Sequence, residues 1–264
     1  MLFRSFYNRS LQRYFVKTFG CRASQADGAA LEAGLAGQGM GAAADLAEAD
    51  LVVLNTCTVT ATADDELRQV VRRIHRNRPE ARILVTGCYA QRAPEELAAL
   101  PGVEWVVGNS HKTAIPEIVT GAADYHGEIH VGEIGREFLA APVEDALGDR
   151  TRPNLKVQDG CSNKCSFCII PSVRGRSRSA DADQVVAQVA ALGSKYREVV
   201  LSGINLGRWG RDLPGRRRLV DLVRRLLDET PVERLRLSSV EPMDFSDALL
   251  ELMATSPRIA KHVH

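Results

Sequence analysis

Short apolar runs alternate with longer amphipathic stretches along the first half of the chain. Four runs have the composition of β-strands: residues 14–20 (YFVKTFG), 51–56 (LVVLNT), 83–87 (ILVTG) and 103–107 (VEWVV). Helix-like stretches at residues 26–38 and 64–77 separate the first three runs. A strand, helix, strand rhythm that repeats roughly every 30 residues is typical of βαβ units. The pattern therefore predicts a parallel sheet and the α/β class.

The same rhythm continues in the second half. Strands are predicted to begin at Leu155, Glu198 and Arg234, helices to cover residues 181–192, 219–227 and 246–253, and a fourth strand to open at residues 259–263. Residues 127–153 contain Gly, Pro and acidic residues without a clear period. This stretch predicts a division into two domains, with a linker at residues 141–153.

The composition is that of an ordinary globular chain. Its 264 residues carry 34 Lys and Arg against 33 Asp and Glu, a net charge of +1, and 45% are apolar. These values exclude a disordered chain, a collagen-like repeat, and a protein that binds polyanions by bulk charge alone. No apolar run approaches the ~18 residues of a membrane helix. We therefore expect a cytoplasmic protein with no membrane partner, although the basic, acid-free N-terminus is also compatible with an organellar transit segment.

The six cysteines form two groups of three. The first group is Cys21, Cys57 and Cys88, and each of them opens the loop after a predicted strand. Loops at the carboxyl ends of parallel strands gather along one edge of a sheet, where ligands bind. The pattern therefore predicts that the first group converges at one site. The alternative is that each is a small buried apolar residue.

The second group is Cys161, Cys165 and Cys168, with the spacing CxxxCxxC in the sequence DGCSNKCSFCII. In a reducing cytoplasm such cysteines more often act as metal ligands or reactive thiols than as disulfides. A loop this tight can place three thiolates on an iron–sulfur cube and leave the fourth iron open. A structural zinc ion is the alternative, but it needs four ligands, and no further Cys or nearby His follows this loop.

The motifs around the cysteines resemble those of a known family. TFGC, NTCTVT and TGCYAQ surround the first group, DGCSNKCSFC contains the second, and IIPSVRGRSRS, LSGINLG and RLSSVEP follow it. From residue 14 onward the chain resembles the radical S-adenosylmethionine (SAM) methylthiotransferases. The segment DGCSNKCSFCIIPSVRGRSRS is most similar to the bacterial enzymes that methylthiolate N6-threonylcarbamoyladenosine at position 37 of tRNA. One position departs from the family pattern, because Ser24 in CRASQ replaces the usual Asn.

The resemblance implies two [4Fe–4S] clusters and SAM as cofactors. The second cysteine group would be catalytic, holding a cluster whose open iron binds SAM. Reductive cleavage of SAM would give a 5′-deoxyadenosyl radical that removes hydrogen from an unactivated adenine carbon. The first cysteine group would hold an auxiliary cluster that carries the sulfur to be inserted.

The resemblance also implies SAM-binding residues near the ends of the next strands. The candidates are Phe167, Arg174, Ser202, Gly203, Asn205, Ser239 and Glu241, with Ser238 beside them. Phe167 would pack near the adenine, and Gly203 would meet the methionine part of SAM. The structural alternatives are core packing for Phe167 and ordinary strand-to-loop turns for Gly203 and Glu241.

The implied partners are a tRNA substrate, a reduced flavodoxin or ferredoxin-type electron donor, and a sulfur donor. Three arginine-rich sets could contact RNA phosphates, and the third contains Trp209, which could stack on a base. The sets are Arg174, Arg176 and Arg178, then Arg72, Arg73, Arg76 and Arg78, then Arg208, Arg211 and Arg216 to Arg218. A solvated helix face or loop is the alternative for the last two sets.

The predicted domain order is a tail at residues 1–13, an α/β domain with the auxiliary cluster at 14–140, the linker at 141–153, and a radical-SAM domain at 154–264. The resemblance implies that the last domain is the first part of a partial (βα) barrel. It also implies that the rest of the barrel and an RNA-binding β-barrel domain are absent. Because a half-built barrel exposes a strand edge, we expect these 264 residues alone to be weakly stable and nearly inactive.

Three functions remain open at this point. The first is methylthiolation at C2 of N6-threonylcarbamoyladenosine in tRNA. The second is the same chemistry on isopentenyl-adenosine in tRNA or on an aspartate of a ribosomal protein. The third is an inactive iron–sulfur-binding fragment.

Overall fold

The computed structural model describes residues 11–58, 61–121, 128–136 and 151–263. The chain divides into two compact units. Unit 1 consists of Met1–Gly20 and Leu31–Glu133, and unit 2 consists of Cys21–Ala30 and Ile134–His264. Within the described ranges, no helix is both long and apolar enough to cross a membrane. The predicted tail and linker lie mostly outside the described residues, so the domain boundaries stay a prediction.

Unit 1 contains a six-stranded sheet in which all neighbouring strands are parallel. Its strands are β1 (Arg13–Thr18), β2 (Gly41–Ala42), β3 (Leu51–Thr56), β4 (Arg82–Gly87), β5 (Val103–Gly108) and β6 (Ile129–His130). Their order across the sheet is β2-β1-β3-β4-β5-β6. The α/β class and the parallel sheet are therefore confirmed. The sequence does not predict β2 and β6, because two residues are too few to show a period.

Helices cover both faces of this sheet. They are α1 (Arg22–Gly37), α2 (Ala61–Asn77), α3 (Cys88–Arg92), α4 (Pro94–Ala98) and α5 (Ile115–Thr120). Successive side chains of a strand point to opposite faces. Val52 and Leu54 accordingly pack with α2, α3 and α4, whereas Leu51 and Val53 pack with α1 and α5. The central strands are buried on both sides, which is why a run such as LVVLNT is almost continuously apolar.

Unit 2 contains a four-stranded sheet. Its elements are β7 (Asn154–Asp159), α6 (Ile170–Arg174), β8 (Arg178–Ser179), α7 (Ala182–Gly193), β9 (Glu198–Gly203), α8 (Leu219–Glu229), β10 (Arg234–Leu237) and α9 (Asp247–Thr255). The strand order is β10-β9-β7-β8, with β8 antiparallel to β7 and the other pairs parallel. The strands predicted at Leu155, Glu198 and Arg234 are confirmed.

Of the fourth strand predicted to open at residues 259–263, only the first pairing with β10 forms. Ile259 makes a single parallel bridge with Leu235. The backbone then turns, and the His262 N–H donates back to the Ala260 carbonyl at 2.7 Å. The Lys261 ammonium donates to the Ala254 carbonyl at 2.9 Å, which caps the end of α9. The turn and the cap replace the strand pairing that the apolar pattern predicts.

The two faces of the unit 2 sheet differ in polarity. Leu155 and Val157 of β7 point to one face and join the apolar core that α7, α8 and α9 complete. Lys156 and Gln158 point to the other face, yet both are buried. Buried polar groups need hydrogen-bonding partners. The polar face of β7 therefore gathers polar side chains from elsewhere in the unit.

Candidate functional site

The CxxxCxxC cysteines lie in an irregular loop between β7 and α6. At its start the Cys161 N–H donates to the Gly175 carbonyl at 3.0 Å, and at its end the Cys168 N–H donates to the Cys165 carbonyl at 3.1 Å. All three thiols are free of disulfides. Cys165 is exposed and the other two are half-buried. The loop is thus fixed at both ends while its sulfur atoms stay accessible to a ligand.

The loop supplies the type of ligand that an iron–sulfur cluster takes. Its three cysteines offer thiolates, the soft ligands that such clusters favour. The Asn163 N–H donates to the Cys161 sulfur at 3.4 Å, and hydrogen bonds to sulfur are one means by which proteins tune these clusters. In the described part of the chain, no three His, Cys, Asp or Glu side chains are grouped to hold one metal ion.

Gly160 sets the direction in which the loop leaves β7. Its φ is +67°, a backbone angle that suits glycine. A Cβ at this position would clash with the carbonyl oxygens of Gly175 and Arg176. Glycine is therefore required immediately before Cys161.

We expect Gly160→Ala to prevent the loop from binding its cluster. The substitution adds backbone strain of about 1–3 kcal/mol to the clash, so the loop must move. Reconstituted Gly160→Ala protein should fail to retain the iron and acid-labile sulfide that Cys161, Cys165 and Cys168 bind in the wild type. Gly37→Ala is the matched control, since Gly37 lies in α1 with nothing within 4 Å of an added Cβ. Equal iron contents in the two variants would contradict this role for Gly160.

Two side-chain and backbone hydrogen bonds link the carboxyl ends of β7, β9 and β10, and Gln158 makes the link between β7 and β9. Its amide nitrogen donates to the Gly160 carbonyl at 2.8 Å, and its side-chain oxygen accepts from the Asn205 N–H at 2.7 Å. Leu206 directly follows Asn205, and its backbone N–H donates to the Ser239 carbonyl at 3.2 Å. The ends of β7, β9 and β10 are therefore held together at the predicted SAM-binding residues.

Two buried oxygen atoms at these strand ends have no hydrogen-bond partner among the described residues. They are Asn205 Oδ1 and Ser238 Oγ. A buried acceptor without a donor costs about 1–3 kcal/mol, which a ligand that carries donor groups can offset. The amino group of SAM is such a donor, so this edge suits the predicted ligand.

The remaining predicted SAM contacts are placed as follows. Ser202 is buried, and its hydroxyl donates to the Leu155 carbonyl at 3.4 Å. Gly203 ends β9 beside Gln158. The Ser239 residue is half-buried and Glu241 is exposed. Their contacts with SAM stay predictions.

The two aromatic candidates have opposite environments. Phe167 is 91% exposed, so the core-packing alternative is wrong and its ring can cover a ligand. Trp209 is fully buried in the core of unit 2, and its Nε1–H donates to the Ala180 carbonyl at 3.1 Å. The prediction that Trp209 stacks on an RNA base is therefore wrong. Its indole fills apolar space under the sheet and has no face open to solvent.

A buried network of ion pairs lies on the polar face of β7, beside the cysteine loop. Asp27 and Asp159 supply its carboxylates, and Lys156 and Arg174 supply its cations. Lys156 pairs with both carboxylates, and Arg174 pairs with Asp27 at 3.0 Å and with Asp159 at 2.9 Å. Asp159 also accepts from the Gly160 N–H at 2.8 Å. The network thus holds the first residues of the loop.

Mutual pairing keeps the network charged. Burial raises the pKa of the Asp159 carboxyl, but Lys156 and Arg174 outweigh burial and hold that pKa well below its usual range. Burial lowers the pKa of Lys156, but Asp159 and Asp27 outweigh it and raise the pKa above its ordinary value. Asp159 and Lys156 are therefore both ionised at neutral pH.

The network changes the interpretation of Arg174, which the sequence predicts to contact SAM or an RNA phosphate. Its side chain is 2% exposed and directed at Asp27 and Asp159. An RNA phosphate cannot reach it while the network is closed, so RNA contact is wrong for this residue and SAM contact stays a prediction. Its Nη2 also donates to Ser24 Oγ at 3.3 Å, which lies 3.6 Å from the Cys21 sulfur. Ser24, which replaces the usual Asn of the family pattern, therefore links Arg174 to Cys21.

The first cysteine group follows three neighbouring strands. Cys21 follows β1, Cys57 follows β3 and Cys88 follows β4, and these strands adjoin in the sheet. Cys57 and Cys88 are buried, and the Asn109 amide donates to the Cys88 sulfur at 3.7 Å. Cys21 belongs to unit 2 and the other two belong to unit 1. The strand-end positions are confirmed, and the convergence of the three sulfurs on one cluster stays a prediction.

Sequence reasoning missed Asp27, Lys156 and Gln158. The signal for two of them was present in β7, where Lys and Gln alternate with Leu and Val in NLKVQD. Such alternation in a buried parallel strand indicates a polar interior face. Asp27 gave no comparable signal, because its partner Lys156 lies 129 positions later in the chain.

Two family models match the chain. The family described as "Uncharacterized protein family UPF0004" matches residues 13–108, and the family described as "Radical SAM superfamily" matches residues 155–264. The first match contains the first cysteine group, and the second contains the CxxxCxxC loop. The superfamily match implies SAM and a [4Fe–4S] cluster.

Curated relatives match most of this chain. The threonylcarbamoyladenosine tRNA methylthiotransferase MtaB of Bacillus subtilis (strain 168) is 40% identical over 82% of this chain and 49% of its own length. The MtaB protein of Aquifex aeolicus (strain VF5) is 38% identical over 94% of this chain and 61% of its own length. The chain therefore spans about half to three fifths of the length of these relatives.

A solved structure shares the fold. It is the radical S-adenosylmethionine methyltransferase TsrM from Kitasatospora setae, with tryptophan substrate and a SAM analog bound. The TM-score is 0.63 at 17% identity, over 93% of this chain and 57% of that one, so the likeness shows the fold alone. Both family matches and the curated relatives therefore make the chain similar to the radical-SAM methylthiotransferases over most of its length.

Proposed function

We propose that this chain carries the catalytic core of an enzyme that inserts a methylthio group at C2 of N6-threonylcarbamoyladenosine in tRNA. The observation that carries the proposal is the CxxxCxxC loop, whose three free thiols follow β7 at the same edge of the unit 2 sheet as two unpartnered buried oxygens. The names of relatives at 38% and 40% identity support the substrate.

The residues of the loop and the strand ends would bind and orient the reactants. Cys161, Cys165 and Cys168 would hold a [4Fe–4S] cluster, which together with SAM supplies the one-electron chemistry needed to break an unactivated C–H bond. Asn205 Oδ1 and Ser238 Oγ accept hydrogen bonds from SAM and fix its position. The exposed ring of Phe167 covers the apolar face of the ligand and excludes water from it.

We further propose that Cys21, Cys57 and Cys88 hold an auxiliary [4Fe–4S] cluster that carries the sulfur. Their positions after adjacent parallel strands and the absence of any disulfide among the described cysteines support this role. Six reduced thiols suit the reducing cytoplasm, so we place the reaction there. The reaction also needs a flavodoxin or ferredoxin-type electron donor and a sulfur donor.

Asn205→Ala should weaken SAM binding about tenfold, because the ligand loses a buried hydrogen-bond acceptor. The side-chain oxygen of Asn205 makes no hydrogen bond within the described chain, so the melting temperature should not fall. Calorimetric titration of reconstituted protein with SAM measures the effect. Ser194→Ala, at the exposed end of α7, is the control and should bind SAM like the wild type. An unchanged affinity of the Asn205→Ala variant for SAM would show that Asn205 does not contact SAM.

Mass spectrometry of tRNA from a strain that lacks the gene tests the substrate. The 2-methylthio group should disappear from N6-threonylcarbamoyladenosine while the threonylcarbamoyl group remains. The wild-type gene should restore it, and a Cys161→Ala gene should not. Intact methylthiolated tRNA in the deletion strain would contradict the tRNA substrate and favour the ribosomal-protein aspartate. Loss from isopentenyl-adenosine instead would identify that nucleoside as the substrate.

A further inference from the structure

Unit 1 contains a basic cleft of about 460 Å³, lined by residues of β1 and α2. Lys17 of β1 lines one side, and Arg72, Arg73 and Arg76 of α2 line the other. Glu66 is the one acidic residue in its lining. Four cations thus surround the cleft against one carboxylate, in a chain whose net charge is only +1.

The alternation of β1 brings Lys17 to this cleft. Phe15 and Phe19 lie two positions before and after it, and both pack against the apolar cluster that contains the buried face of α2. The Lys17 ammonium is 5.3 Å from the centre of the Phe19 ring. The lysine therefore reaches along the edge of the core toward α2. Two separate elements supply the positive charge.

The four cations have no carboxylate partner within the ranges that the structure describes. Other basic residues of the same helix region do have partners. Arg68, one turn earlier on α2, pairs with Asp65 at 2.8 Å and with Glu96 at 3.1 Å, and Arg78 just after the helix pairs with Glu80. Asp65, Glu80 and Glu96 are thus used elsewhere, which leaves Glu66 as the one carboxylate beside the four cations of the cleft.

Two arginines of the set in unit 2 differ in the same respect. Arg208 and Arg211 both pair with the buried carboxylate of Asp244, at 3.1 and 2.7 Å. The structure therefore compensates the charge of these two arginines, unlike that of the arginines at the cleft.

A structural role alone does not explain the cleft. Arginines in the last two turns of α2 interact favourably with the helix dipole, which offsets part of their mutual repulsion. The dipole gives no reason for Lys17, which comes from a strand. A bound anion accounts for all four cations.

We propose that this cleft binds a backbone phosphate of the RNA substrate. The planar guanidinium of Arg matches phosphate oxygens, and Lys adds a point charge. The three arginines are exposed, so a phosphodiester of a folded RNA can reach them. Contacts of this kind position an RNA without reading its sequence. The inference rests on the proposed tRNA substrate.

Fluorescence anisotropy with a labelled anticodon stem–loop RNA, at several salt concentrations, tests the proposal on the full chain. Arg73→Gln with Arg76→Gln should raise the Kd about tenfold at low salt and reduce the slope of log Kd against log salt by about 1–2, because fewer counterions are released. Arg224→Gln with Arg234→Gln is the matched control, since it removes the same charge from exposed arginines of unit 2. Melting temperatures verify that both double variants are folded.

Equal Kd values and salt slopes in the two double variants would overturn the proposal. Binding of inorganic phosphate that the Arg73→Gln, Arg76→Gln variant loses, while its Kd for the RNA is unchanged, would also overturn the proposal, because the cleft would then be a site for free anions. Cleavage of SAM to 5′-deoxyadenosine is measured separately in each protein and should be equal in all of them. Its absence from the wild type would count against the radical-SAM function while leaving the RNA result intact.

Discussion

Replacing Cys161, Cys165 and Cys168 together by Ala should lower the iron content of reconstituted protein from about eight to about four atoms per chain, because one of the two proposed [4Fe–4S] clusters is lost. None of the three thiols forms a disulfide or is buried. The substitutions should therefore leave the fold intact, and circular dichroism verifies this. Iron and acid-labile sulfide assays after anaerobic reconstitution measure the effect.

Replacing Cys21, Cys57 and Cys88 by Ala is the reciprocal variant. It should also leave about four irons per chain, but these belong to the cluster that binds SAM. An unchanged iron content in either triple variant would contradict the assignment of that group. A wild-type protein that binds one zinc ion and no sulfide would contradict both assignments.

Replacing Asp27 by Asn should lower the free energy of unfolding by about 3–5 kcal/mol, because it leaves Lys156 and Arg174 buried with Asp159 as their remaining carboxylate. Asn keeps the shape of the side chain, so the effect reports the lost charge. Urea denaturation followed by circular dichroism measures it. Asp228→Asn, on the exposed side of α8, is the control and should change stability by less than about 0.5 kcal/mol.

A double variant separates the ion pair from general damage to the fold. Combining Asp27→Asn with Lys156→Met removes one charge of each sign, so it should cost less than the sum of the single variants, by about 1–3 kcal/mol. If Asp27→Asn alone does not fold, recovery of folding in the double variant shows the same coupling. Strict additivity, or a loss below about 1 kcal/mol in Asp27→Asn, would contradict a buried network.

The sequence predicts those helices and strands whose burial produces a pattern of apolar and polar residues several positions long. The strands of four or more residues were all predictable, because a strand buried on both faces reads as an apolar run and a strand with one apolar face reads as an alternation. Helix starts were less predictable: α1 begins at Arg22 rather than at residue 26, and α2 begins at Ala61 rather than at residue 64. The acidic residues Asp64 to Glu66 set the predicted start of α2, because acids favour the first turn of a helix, and Cys21 before α1 is not a preferred N-cap residue. The five- and six-residue helices α3 to α6 are too short to show a period.

The residues of the candidate site were predictable where they lie close together in the sequence. The spacing of Cys161, Cys165 and Cys168 within one loop identifies a ligand set without knowledge of the fold. The ion pair of Asp27 with Lys156 depends on packing between distant segments, which no local pattern encodes. Trp209 was misread for a related reason, since an aromatic residue among arginines suggests a surface, whereas the chain turn there buries it. Contacts between distant residues are therefore what the structure adds.

The most direct test of the central claim is the effect of SAM on the electron paramagnetic resonance spectrum of the reduced, reconstituted protein. SAM should change the spectrum of the wild type and of the variant that lacks Cys21, Cys57 and Cys88. It should not change the spectrum of the variant that lacks the CxxxCxxC cysteines. A spectrum that SAM leaves unchanged in all three proteins would show that the loop after β7 holds no SAM-binding cluster, and it would contradict the radical-SAM function proposed for this chain.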